Sequence, residues 1–277
     1  MAKNLSRIIT IAALLLAAGV VGVGAGYLLW GWPKDWYVVE NPAELPAGVE
    51  NDLVRYGHDL VVDTPRYIGP TAQPEMRFSG NGLACTNCHL NAGLQPFAAP
   101  YVSTFATFPM MVGDGVETLA DRLNGCMRRS MNGREMPAGS RVSEALIAYI
   151  RYLGMGTPEG VRIPGMGLMR LPPAAQTPDR GRGQTVYAQV CARCHGAGGQ
   201  GEMKTPPNVG YAIPPLWGDD SFNAAAGMAH VETAAAFIRA NMPRGVDYRS
   251  PILTEQQAWD VAAFVTAQPR PPAPAGD

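Results

Sequence analysis

Charge is scarce in this sequence: 22 Lys and Arg stand against 23 Asp and Glu, 16% of 277 residues, for a net charge of −1. Soluble domains carry ~25% charged residues, so one part of the chain is expected to face lipid. There is no basic surplus and no basic run, which excludes a nucleic-acid binder, because phosphate binding needs both. Alternating β-branched stretches are also missing. None reaches five residues, and the fold class reads as all-α. Cysteine is limited to five residues, two close pairs and one left over. What is abundant is Gly (32) and Pro (25), about one residue in five, and these assign much of the chain to loops. With 47% hydrophobic residues over this length, two small domains plus extras are expected.

The exception to the short apolar segments runs from Ile8 to Trp32, 25 residues without a charge, preceded by Lys3 and Arg7. A signal peptide needs ~7–15 apolar residues and a spanning helix ~20, so this reads as a transmembrane anchor. Gly22–Gly26 also mimics a cleavage site, so processing stays open. Trp30, Trp32, Trp36 and Tyr37 form an interfacial belt, and the leading positive charges put the N-terminus in the cytoplasm. The remainder is then expected in the periplasm, attached to the inner membrane. The reading is 1–33 anchor, 34–50 linker, 51–163 first domain, 164–179 linker, 180–268 second domain and 269–277 a Pro-rich tail without means of packing. Both domains follow one order: a short helix, Cys-x-x-Cys-His, a long Gly/Pro loop, Met-Pro, and an amphipathic helix (Ser143–Leu153; Thr254–Ala267).

Cys85-Thr-Asn-Cys88-His89 and Cys191-Ala-Arg-Cys194-His195 carry the chemistry. One helical turn presents two thiols to the vinyl groups of a haem, and the adjacent His lies under the iron. Paired zinc ribbons sit ~15–20 residues apart rather than a hundred, and a thioredoxin-like dithiol needs a βαβ setting that is missing. Two covalently attached haem c groups are therefore expected, with His89 and His195 as iron ligands.

Met242 follows His195 by 47 residues and Met136 follows His89 by 47, so both are candidate sixth ligands. Met203 and Met228 read as packing residues, Lys204 as a solvated loop charge, and His58 and His230 as surface or capping residues. Cys126 competes with Met136. It sits on a helix whose apolar face is Val116, Leu119, Ala120, Leu123 and Met127, with Asp114 and Glu117 resembling a capping box. Arg122, Cys126 and Arg129 are spaced i, i+4, i+7, and flanking cations favour a thiolate able to bind iron or attack sulfur. A buried, inert cysteine is the alternative.

The stretches GNGLACTNCHLNAG (Gly80–Gly93) and RLNGCMRRSMNG (Arg122–Gly133) resemble the dihaem thiosulfate dehydrogenases that form tetrathionate, relatives of the SoxA cytochromes of sulfur oxidation. The resemblance runs from about Arg55 to Ala267 and is specific in the first half. It implies two cytochrome c domains in tandem behind the anchor, with Cys126 as distal ligand of the first haem at the active site. Arg122, Arg129 and Ser130 lie beside Cys126, and Met242 serves the second haem. Some relatives carry a lysine ligand before that methionine, where this chain has Asn241. The implied activity interconverts thiosulfate and tetrathionate and passes electrons through the second haem to an acceptor cytochrome or a membrane respiratory complex. A membrane-tethered dihaem electron carrier, or a cytochrome subunit of a larger dehydrogenase, is the competing reading.

Overall fold

The computed structural model describes residues 40–157, 163–246 and 248–275. Its main helices are α1 (Val49–Val62), α2 (Thr64–Ile68), α3 (Leu119–Arg129), α4 (Arg141–Leu153), α5 (Arg180–Val186), α6 (Val231–Asn241) and α7 (Glu255–Thr266). Two short antiparallel hairpins interrupt them: β1 (Met110–Val112) with β2 (Gly115–Glu117), and β3 (Glu202–Met203) with β4 (Tyr211–Ile213). Among the described residues no helix is long and apolar enough to cross a membrane. The Ile8–Trp32 run, and the 1–33 anchor placed on it, lie outside the described residues.

The helices start where polar caps satisfy their free amides. Ser140 accepts from the Ser143 amide at the head of α4, and Thr254 pairs with Gln257 in a capping box at the head of α7. In the first half α1 buries Val54, Leu60 and Val61 against α4, which turns in Val142, Ala145, Leu146, Tyr149, Ile150 and Leu153. The crossing is possible because residue 57 is glycine: a Cβ there would run into the Ala145 carbonyl and the Tyr149 side chain. The second half repeats the device. Gly183 of α5 lies against the Asp260 carbonyl and Phe264 of α7, over a core of Val186, Tyr187, Leu253, Val261 and Val265.

Several expectations are corrected. Helix α3 begins at Leu119, capped by Thr118 and Asp121 rather than by Asp114 and Glu117. The turn Gly113–Asp114 closes a hairpin instead, and Val116 is 62% exposed on β2. Met203 does not pack; it is 57% exposed on β3. Lys204 is not a free loop charge, because its Nζ lies 2.7 Å from Asp63 Oδ1. The Pro-rich tail is docked at its start: the amides of Gly218 and Ala224 donate to the carbonyls of Pro269 and Pro271, and the Arg270 guanidinium covers the Phe222 ring.

The segment 164–179 also lies against protein. Phe97 and Ala99 amides donate to Gly165 and Gly167 carbonyls at 2.7 and 2.9 Å, while Trp259 Nε1 donates to Pro172 O at 3.2 Å. It straps the first His loop to α7. Buried Asn81 and Asn223 and half-buried Asn132 join the halves: Asn81 and Asn132 both donate to Ser221 O, and Asn223 donates to Arg128 O.

Candidate functional site

Thr64, fully buried at the head of α2, fixes the first Cys-x-x-Cys-His. Its hydroxyl donates to Leu60 O at 2.6 Å and accepts from the Cys85 amide at 3.1 Å. The turn closes through Cys88 and His89 amides donating to Cys85 O, which places both thiols and the imidazole on one turn. His89 Nδ1 then lies 2.7 Å from Ala99 O, and the Tyr101 ring stacks on the imidazole at 4.5 Å. To bring that carbonyl back, the loop adopts left-handed backbone at Asn91, Ala92, Phe97 and Ala99, a local strain held by the 164–179 strap. A Cβ on Gly93 would overlap the Tyr101 ring, so glycine is required there.

At the second motif, a wide helical turn (Tyr187–Cys191) leads into Ala192–His195. His195 Nδ1 lies 2.9 Å from Pro214 O, and Tyr187 OH donates to Gly196 O at 2.6 Å. Trp217 and Phe264 enclose Tyr187, with centroids 5.1 and 5.4 Å from it.

Both imidazoles are committed at Nδ1 to a carbonyl, which fixes the tautomer with the proton on Nδ1 and leaves the Nε2 lone pair for a metal. Burial lowers the pKa of each below the usual histidine value. At His89 the Ala99 carbonyl opposes the fall and the Arg122 charge adds to it. Burial pushes the Cys85 thiol up to about 11, Cys88 to about 12 and Cys191 to about 11. A reactive dithiol is favoured by a lowered thiol pKa, and burial acts in the opposite direction at these three thiols. Among the described residues no group of three or more His, Cys, Asp or Glu converges on a metal position. The donor sets fit covalent haem c, with two thiols and one neutral imidazole at each motif.

Helix α3 carries the remaining candidates. Cys126 is half-buried and within electrostatic reach of Cys85, Cys88 and Tyr101. Arg122 is exposed, and its charge reaches His89. The Arg129 guanidinium folds back over Gly125, where a Cβ would collide with Nη2. Ser130 ends the helix, its carbonyl accepting from Asn81 Nδ2 at 3.0 Å. Met136 is 2% exposed, its backbone paired both ways with the Asn124 side chain. Met136 is thus enclosed by protein, whereas Cys126 is half-buried. Met242 is half-buried directly after α6. Beside it Asn241 is 2% exposed and donates from Nδ2 to Phe97 O at 3.0 Å, within the loop that holds His89.

Thr64, Tyr101, Asn223 and the carbonyls of Ala99 and Pro214 escape sequence reasoning. Carbonyls leave no residue signature. Thr64 had one available, as a Thr-Pro helix start following Asp63.

The cytochrome c family matches residues 181–268. A thiosulfate dehydrogenase of Stutzerimonas stutzeri is 38% identical over 91% of this chain and 76% of its own length. One from Allochromatium vinosum is 36% identical over 94% and 92%. Among solved structures, the thiosulfate dehydrogenase TsdBA of Marichromatium purpuratum superposes with a TM-score of 0.76 at 39% identity, covering 86% of this chain and 50% of that one. With the haem-type motifs of both halves and this degree of likeness along nearly its whole length, the chain belongs to the thiosulfate dehydrogenase family.

Proposed function

We propose that this protein oxidises two thiosulfate ions to tetrathionate, or runs the reverse, at a first haem c held by Cys85, Cys88 and His89. The observation that carries the reading is the place of Cys126, within electrostatic reach of Cys85, Cys88 and Tyr101 on a helix that also bears Arg122 and Arg129. When bound, haem c supplies one-electron acceptor chemistry, and two such groups match the two electrons released. Two dianions repel each other on approach. Arg122 and Arg129 place fixed positive charge beside the thiol to offset that repulsion.

A balanced route follows from these residues. The Cys126 thiolate and the outer sulfur of one thiosulfate form an S–S bond with loss of two electrons. The second thiosulfate attacks the outer sulfur of that adduct, so tetrathionate leaves and the thiolate is regenerated. Cys126 would hold the iron of the first haem in the resting state, and Met136 serves the core.

The second cytochrome c domain, residues 180–268, binds its haem through Cys191, Cys194 and His195, with Met242 as sixth ligand. Methionine ligation would raise the potential of that haem, which would favour it as the exit for electrons to an acceptor cytochrome or membrane complex. The charge-free run Ile8–Trp32 tethers the protein to the inner membrane with both haem domains in the periplasm.

Steady-state turnover of the haem-loaded full chain tests this. With an artificial electron acceptor, two thiosulfates should be consumed per tetrathionate formed, and reduced dye should drive tetrathionate back. A protein that is neither reduced by thiosulfate nor oxidised by tetrathionate is an electron carrier and not this enzyme.

A further inference from the structure

Arg239 stands in the last turn of α6, three residues before Met242. Its Nε and Nη1 are shielded from solvent and have no hydrogen-bond partner among the described residues. No Asp or Glu among those residues forms an ion pair with it. Arg239 as a whole is half-buried, but two shielded guanidinium N–H groups without partners are unfavourable, and guanidinium keeps its proton. The negative end of the helix dipole helps, but no helix carbonyl engages these nitrogens. The position therefore calls for an anion, delivered beside Met242. Haem carries two carboxylates of its own, and the reading of Met242 as ligand brings such a group to this end of α6.

We infer that Arg239 is a cofactor-binding residue that donates from Nε and Nη1 to a carboxylate of the haem attached at Cys191 and Cys194. The inference rests on the dihaem reading above. It assigns to α6 a second task besides presenting Met242: fixing the charge environment, and so the potential, of the electron-exit haem.

The test uses the haem-loaded full chain with Arg239→Gln, Arg239→Leu and Arg239→Lys. Resonance Raman spectroscopy reads the haem propionate-bending band directly. Loss of the donors shifts this band in the Gln and Leu variants, while Lys keeps it close to the parent position. Redox titration gives a second readout. Removal of a fixed positive charge lowers the midpoint of the second haem in the Gln and Leu variants and spares most of it in the Lys variant. If Arg239→Leu does not fold, the Gln and Lys pair carries the comparison. An unmoved band and an unmoved midpoint in folded variants overturn the inference. So does a parent midpoint that responds to added sulfate or thiosulfate, with that response lost in Arg239→Gln while the band stays put, because the anion is then a solute. Failure of the dihaem reading shows elsewhere: one haem per chain by pyridine haemochrome, or no methionine–iron band in the near infrared of the parent. Either result removes the second haem site and the inference with it.

Discussion

The side-chain amide of Asn223 donates to the carbonyl of Arg128 at 2.9 Å, and its backbone amide donates to Arg129 O at 3.2 Å. A residue that follows the second haem motif thus caps the helix bearing Cys126. Asn223 is 2% exposed, so removing its side chain deletes this largely shielded hydrogen bond, which costs about 0.5–1.5 kcal/mol. Asn223→Ala should lower global stability by that amount in denaturant titration and should lower turnover further, because the end of α3 loosens.

The Lys204–Asp63 ion pair spans the same two halves, with side chains 27% and 21% exposed. Pairs of this kind contribute at most about 1 kcal/mol, less at high salt. Lys204→Ala should therefore cost less than Asn223→Ala, and its effect should shrink as salt is added. A larger loss from Lys204→Ala would mean that charge, and not the buried amides, holds the halves together.

Gly93 has φ +86 and lies under the Tyr101 ring that stacks on His89. Gly93→Ala adds a left-handed penalty of about 1 kcal/mol to the displacement of that ring. Reduced haem content at the first motif, with normal content at the second, is the expected result from haem-stained peptides.

Acid should act through Asp260. Burial alone would raise its pKa, but the Arg182 guanidinium, the Asp179 amide and Gln256 outweigh burial and hold the carboxyl below its ordinary value. A depressed folded pKa adds stability above the unfolded value of about 3.9 and loses it as pH falls through the folded one. Asp260→Asn should lower the melting temperature by several degrees at neutral pH. The gap to the parent should close below pH of about 4. A gap that persists in acid would show that the cost is packing and not ionisation.

Local chemistry made much of this protein legible in the sequence. The periodicity of Leu146, Ile147, Ile150 and Leu153 located α4, and the Cys-x-x-Cys-His turns needed no partner from elsewhere in the chain. What escaped was non-local. Lys204 reads as solvated until folding brings Asp63 to it, 141 residues away in sequence. The tail reads as unpackable because proline lacks an amide, yet Pro269 and Pro271 need only their carbonyls to dock. The cap of α3 was misplaced by one turn because Asp114 and Glu117 imitate the Thr118–Asp121 box. Sequence nominated Cys126 and Met136 alike, and they differ in burial: Met136 is 2% exposed, while Cys126 is half-buried.

The central claim is that Cys126 performs the sulfur chemistry, and Cys126→Gly in the haem-loaded full chain tests it most directly. Haem content should stay at two per chain, because neither attachment motif is touched. Tetrathionate formation should fall by at least ~10³-fold, the scale seen when a nucleophile is removed, while Met136→Leu keeps its turnover. Two haems with undiminished tetrathionate formation in Cys126→Gly would contradict the account and leave the protein an electron carrier with an idle thiol.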